Sequence, residues 1–296
     1  MINIVTVHWR SPKWIGVQLD YLERTITEPY RVYGALNGID DRNLWKRFHF
    51  AEDLDGGHPE KLNVLAGIVA ESADPSDLLV FVDGDAFPVQ SLTPWLSAQL
   101  DKYPLLAVQR REILDDRRPH PCFCATTVGF WKEIEGDWRR AEWVAPDGRV
   151  HDDVGSSLMI RLEELNKPWL PLVRSNTWNL DPVWFAVYGH RVYHHGAGFR
   201  APISRVDIDR AYSGRWRPMQ QQSLGMVATA LKRQPSLAFK VRPRHASTLR
   251  QAIQRTVVQN RTRTAVRKSE VQSDRMFNAI CGDPYFYRRL DAAADE

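Results

Sequence analysis

The chain has 296 residues, 43% of them hydrophobic, with a formal net charge of +4. That length supports one large core or a core with a smaller appended region. No apolar run approaches the roughly 20 residues that span a bilayer, and three cysteines (Cys122, Cys124 and Cys281) do not make a disulfide framework.

The start, "MINIVTVHW", enters strand-like sequence with neither a basic leader nor a cleavable apolar stretch, so no signal peptide is expected. Ile2 to Val7 alternates and is β-branched, predicting a strand. Ile15, Leu19, Leu22 and Ile26 recur at helical spacing, and Arg31 to Leu36 reads as a second strand. Pro59 suits the first turn of a helix whose stripe is Leu62, Leu65, Ala66 and Val69. Leu78 to Val82 is a third strand. Strand, helix, strand, helix, strand predicts a parallel α/β sheet. Leu105 to Gln109 and Cys124 to Val128 read as further strands, the latter with Cys122 and Cys124 on one face as buried thiols. "DDVGSSLMIRLEELN" reads as a helix with Asp152 and Asp153 at its start, where negative charge is favoured. "RVYHHGAGFR" reads as a last strand entering a glycine-rich loop.

Strand signals fade after about Arg210. From Arg210 to Ser269 there are 14 Lys/Arg and no Asp/Glu, whereas the rest of the chain is net acidic. The expected division is an α/β domain over 1–209 and a basic, mostly helical region over 210–296. Leu249, Ala252, Ile253, Thr256 and Val257 mark one helix face, with Arg250, Arg255 and Arg261 elsewhere around it. Such a helix could lie on an anionic membrane surface or pack on the acidic body. No nucleic-acid-binding motif accompanies the charge.

The strand "LLVFV" ends in Asp83-Gly84-Asp85. Ligands of open α/β sheets bind at the carboxyl ends of strands. Two carboxylates one glycine apart repel unless something positive joins them, and hard oxygen ligands suit Mg²⁺ or Mn²⁺. A solvated turn with two exposed aspartates is the plainer reading of the same residues.

"VFVDGDAF" resembles the D-x-D motif of the GT-A glycosyltransferases, and the resemblance covers roughly residues 2 to 200. It implies a Rossmann-like mixed sheet flanked by helices, with a donor half over about 1–110 and an acceptor half over about 111–209. By that likeness Asp83 faces the ribose or sugar of a nucleotide-sugar donor and Asp85 holds the cation. "GGHPEKLNVLAGIV" is similar to the family's turn and helix before this strand, which places Lys61 and Asn63 at the donor. "VTVHWRSPKW" would be the first strand and its nucleobase loop, giving Thr6, His8 and Trp14. "HDDVGSSL" resembles the acidic pair beside the acceptor in inverting members, with Asp153 as general base and Asp152 as the second candidate. "YHHGAGFRAP" is similar to the late histidine loop of retaining members, so His195 would complete the metal shell and Arg200 would grip the diphosphate. That loop departs from the retaining pattern, because Pro202 comes one residue late and Ile203 stands where tryptophan often follows.

The expectation is a metal-dependent transferase moving a sugar from a nucleotide diphosphate to an acceptor hydroxyl, by inversion. A cytoplasmic setting, surface glycan assembly and a carbohydrate or lipid-linked acceptor go with it, with peripheral membrane contact through the basic region. Two alternatives stay open: a sugar-phosphate nucleotidyltransferase, whose usual glycine-rich N-terminal loop is missing from "HWRSPKW", and a non-catalytic module gripping an anionic partner through its basic region.

Overall fold

The computed structural model describes residues 1–113, 115–176, 185–196 and 270–291. The elements in chain order are β1 (Ile2–Trp9), α1 (Ile15–Thr25), β2 (Tyr30–Asn37), α2 (Arg42–Trp45), β3 (Phe50–Glu52), α3 (His58–Ser72), β4 (Leu78–Val82), β5 (Ala86–Pro88) and α4 (Thr93–Leu100). They continue with β6 (Leu105–Val108), β7 (His120–Thr127), α5 (Val128–Glu133), β8 (Ala141–Val144), β9 (Val150–Asp153), α6 (Ser156–Glu164), β10 (Leu170–Leu172), β11 (Ala186–Tyr188) and β12 (Val192–His194).

A seven-stranded mixed sheet, ordered β10-β6-β7-β4-β1-β2-β3, forms the centre. β1 pairs in parallel with β2 and β4, whereas β7 runs antiparallel between β4 and β6. The alternation along each strand sorts side chains to the two faces. On β1, Ile2 and Ile4 pack beneath Ile15, Leu19 and Leu22 of α1. Val5 and Val7 face Leu62, Leu65 and Val69 of α3 on the other side. β4 divides likewise, with Val80 and Val82 in the first cluster and Leu79 and Phe81 in the second. Helices on both faces are why these strands read as continuous apolar runs.

Two expectations are corrected here. β7 starts at His120, and its expected last residue, Val128, instead begins α5, because the Thr127 side chain accepts the Phe130 N–H at 3.1 Å and caps that helix. The helix expected to open with Asp152 and Asp153 begins only at Ser156, behind Gly155 at φ 87°. The acidic pair lies in β9, in an antiparallel ribbon with β8 that pairs Glu142 with Asp152 and Ala141 with Asp153.

A small antiparallel sheet, β11-β12-β5, is joined to the main sheet through the turn between β4 and β5. Contacts along the chain group Met1–Phe199 with Met276–Glu296 as one compact unit, and Arg200–Arg275 as another. In the first unit, Phe286 packs edge-on to Tyr193 at 4.9 Å and to Phe87 at 6.2 Å. Asp291, buried, accepts from Ser175 Oγ at 2.6 Å and meets His190 Nδ1 at 2.8 Å. The amphipathic stripe Leu249–Val257 and the rest of the basic segment up to Ser269 lie outside the described residues. Among the described residues no helix is long and apolar enough to cross a membrane.

Candidate metal and donor site

β4 ends at Val82, and the chain turns through Asp83, Gly84 and Asp85 before β5 begins at Ala86. The Ala86 N–H closes the turn on the Asp83 carbonyl at 2.8 Å, and the Asp83 N–H donates to the Cys122 carbonyl at 3.2 Å. One buried side chain holds the turn from beneath. Gln18, on the inner face of α1, donates from Nε2 to the Asp83 carbonyl at 2.7 Å and to the Ala86 carbonyl at 2.8 Å. Its Oε1 accepts from Thr6 Oγ1 at 3.1 Å and faces His8 Nε2 at the same distance. An amide oxygen only accepts, so the His8 proton sits on Nε2. Burial lowers the His8 pKa to about 4, against the smaller opposing pulls of Gln18, Asp85 and Asp83.

Above the turn, His194 Nε2 lies 3.5 Å from Asp85 Oδ1 and 3.8 Å from Asp83 Oδ2. Ligand atoms of Asp83, Asp85 and His194 all fall within 4.8 Å of one another. Neighbouring ligands of an octahedral Mg²⁺ or Mn²⁺ sit about 3 Å apart, so small side-chain shifts would close this set around a cation. The chemistry fits as well: two carboxylates and an imidazole suit Mn²⁺. Among the described residues no Lys or Arg lies within 4.0 Å of Asp83; the side chains that meet its carboxylate are the imidazoles of His58 and His194. His58 Nε2 meets Asp83 Oδ1 at 3.0 Å. Burial pulls the His58 pKa down, but the charge and hydrogen bond of Asp83 outweigh it and the net shift is upward.

The structure places the other expected residues as follows. His195 is buried and turned away from the aspartates: its Nδ1 meets Tyr193 Oη at 3.0 Å and its ring lies against Trp14 at 4.5 Å. The histidine that joins Asp83 and Asp85 is its neighbour His194, because alternate residues of β12 face opposite ways. Thr6 and His8 are sealed into the Gln18 network, and Trp14 is buried against His195. Lys61 is buried with Nζ over the Trp9 ring at 4.5 Å; burial lowers its pKa while Asp53 and Asp55 oppose the shift. Asn63 donates to Asp137 Oδ1 at 2.6 Å and accepts the Trp138 N–H at 3.0 Å, which locks a turn. Asp153 Oδ1 accepts the Val154 N–H at 2.9 Å and lies 3.6 Å from Arg140, while Asp152 is exposed. Arg200 lies outside the described residues.

Gln18, His58 and His194 carry the site without having been singled out from sequence. Gln18 left a signal, being a polar residue on the apolar stripe of Ile15, Leu19 and Leu22. His58 stood beside Pro59, which fixes it at the start of α3 facing the strand ends.

No protein-family profile and no curated protein matches the chain. Solved structures similar to it include TarS from S. aureus, residues 1–349, at 14% identity and a TM-score of 0.35 over 46% of this chain and 50% of that one. Galactosyltransferase LgtC with donor and acceptor sugar analogs is 14% identical, with a TM-score of 0.35 over 59% and 73%. The catalytic domain of Drosophila beta1,4-galactosyltransferase 7, complexed with xylobiose, is 10% identical, with a TM-score of 0.37 over 67% and 72%. The chain spans about half the length of the TarS fragment.

Proposed function

We propose that this chain is a metal-dependent glycosyltransferase of the GT-A type, which moves a sugar from a nucleotide diphosphate to an acceptor hydroxyl. The observation that carries the reading is the convergence of Asp83, Asp85 and His194 at the carboxyl end of β4, on a turn braced by Gln18. A cation bound there would stabilise the negative charge that develops on the departing nucleoside diphosphate. Asp85 and His194 would hold it, and Asp83, anchored on one oxygen by His58, would present the other to cation or sugar. Lys61 and Arg200 belong to the donor side of this reading.

Asp153 is proposed as the base that takes the acceptor hydroxyl proton, with Asp152 as the alternative, and the reaction as inverting. The Val154 N–H and Arg140 hold the Asp153 carboxylate in place. The reading extends to surface glycan assembly with Mn²⁺ at the cytoplasmic face of a membrane, which the basic segment would contact. A thermal-shift screen of nucleotide sugars with and without Mn²⁺ tests the core of the reading, because a ligand of the native state raises the melting temperature. If no nucleotide sugar stabilises the chain in the presence of Mn²⁺, the reading fails.

A further inference from the structure

The histidine of the aspartate cluster stands on β12, a strand of three residues, in a sheet whose other two strands are equally short. A ladder this small does not hold its shape by backbone bonds alone; it needs a packed face. His194 pairs with Ala86 and brings its ring to the aspartates, so its neighbours Tyr193 and His195 point to the opposite face. Part of that face is covered from α1 and the residue before it. Trp14 lies against the His195 ring at 4.5 Å, and Tyr21 stacks on Phe87 of β5 at 4.3 Å.

The rest of the cover comes from the far end of the chain. Residues 276–282 are helical, and a single 3-10 turn follows over Phe286–Arg289. Phe277 meets Trp14 edge-on at 4.9 Å, and the Tyr21 hydroxyl donates to the Pro284 carbonyl at 3.4 Å. Phe286 is buried among Tyr21, Phe87 and Tyr193. A little further on, Asp291 fixes the turn that joins β11 to β12. His190 sits in that turn at φ 56°, a left-handed conformation that a residue with a Cβ keeps only where its surroundings hold it. Ser175 Oγ accepts the His190 N–H at 3.0 Å and donates to Asp291 Oδ2 at 2.6 Å, while His190 Nδ1 donates to the same oxygen at 2.8 Å. The short hairpin is thus gripped twice, at its turn by Asp291 and on its back by Phe286.

We infer that the segment Met276–Asp291 is a strap that positions His194. By holding β12 from behind and at its turn, it sets how the His194 ring meets Asp83 and Asp85. Phe286 and Asp291 are positioning residues, which act through His194. That they tune a metal site rests on the function proposed above; that they hold β12 in place does not.

The test compares the full-length wild type with Phe286→Ala, Asp291→Ala, Asp291→Asn and Leu162→Ala, the last a cavity in the core on the other face of the main sheet. Calorimetric titration with Mn²⁺, well below each melting temperature, gives affinity, and amide hydrogen exchange reports on β12. Phe286→Ala and Asp291→Ala should each weaken Mn²⁺ binding by about tenfold, the low end of what groups behind a ligand contribute. Both should also lose protection at the His195 N–H, which donates to the Asp85 carbonyl at 3.0 Å. Asp291→Asn keeps an oxygen for both donors and should restore most of the affinity. Leu162→Ala should lower the melting temperature and leave Mn²⁺ binding and β12 protection at wild-type levels. In a His194→Ala background, Phe286→Ala should weaken Mn²⁺ binding no further. Should Phe286→Ala fail to fold, Phe286→Leu takes its place, with a loss in the same direction. Wild-type affinity and protection in the Phe286 and Asp291 variants overturn the strap, and so does an equal Mn²⁺ loss in Leu162→Ala. Protection lost in these variants while the wild type binds no Mn²⁺ would leave the hold on β12 standing and remove the metal reading. Mn²⁺ binding that needs Asp85 but ignores Phe286 and Asp291 would remove the strap alone.

Discussion

Gln18 and Asp83 are 65 positions apart in sequence, yet a 2.7 Å hydrogen bond from the Gln18 amide to the Asp83 carbonyl fixes the turn that carries Asp83 and Asp85 to the first helix. The same amide serves Ala86, Thr6 and His8, so one side chain satisfies four buried partners. Gln18→Leu would remove all four of these hydrogen bonds, at about 1–3 kcal/mol for each buried group left without another partner. The expected result is a melting temperature several degrees lower and weaker Mn²⁺ binding, whereas Ser91→Ala on the exposed surface leaves both unchanged. Unaltered melting in Gln18→Leu would show that the clamp is dispensable.

Asp85 and Asp83 converge, and among the described residues no Lys or Arg lies beside Asp83, so the fold holds them together against their repulsion. Asp85→Asn relieves that repulsion. The variant should melt no lower than wild type without metal, yet lose the stabilisation that Mn²⁺ gives the wild type. Differential scanning calorimetry with and without Mn²⁺ reads both effects.

The neighbouring histidines should behave differently. His194→Ala is expected to weaken Mn²⁺ binding by roughly tenfold or more, as loss of a ligand does. His195→Ala removes a ring packed among Trp14, Phe185 and Tyr193 and should cost about 2–4 kcal/mol of stability while sparing the metal. Equal effects of the two substitutions on Mn²⁺ affinity would refute this division.

For the proposed base, Asp153→Asn should keep donor binding and abolish transfer, measured as product formed per mole of bound donor. If Asp152→Asn alone has that effect, the exposed member of the pair is the base.

His8 gives the metal-free protein a defined acid sensitivity. Its pKa is lowered in the fold to about 4 from an ordinary 6.5. Between those values the unfolded chain binds a proton that the folded chain refuses, so stability is full above pH 6.5 and falls as pH drops towards 4. The loss is on the order of 3 kcal/mol, and His120, whose pKa burial also lowers, acts in the same direction. His8→Gln keeps an N–H for Gln18 and should flatten chemical-denaturation stability across this window; an unchanged slope would contradict it.

The parallel core was legible in the sequence because burial on both faces writes apolar runs that need no partner to be recognised. Asp83 and Asp85 were legible because a charged turn after such a run is conspicuous. What stayed hidden depends on distant pairing. Which of His194 and His195 faces the aspartates is set by the register of β12 against β5, where His194 pairs with Ala86. The β8–β9 ribbon escaped notice because its tip leaves Val144 and Val150 exposed, so its alternation does not mark a core face.

The contacts of Asp291 have a consequence for how the protein is made. The chain emerges from the ribosome from its amino end, and the small sheet carrying His194 is complete by residue 194. Its bracing by Phe286, and the pairing of Ser175 and His190 with Asp291, must wait for about a hundred further residues. The strand that supplies the cluster's histidine is therefore secured only once Phe286 and Asp291 have emerged, so a ribosome-bound nascent chain that stops short of them would hold the cluster loosely.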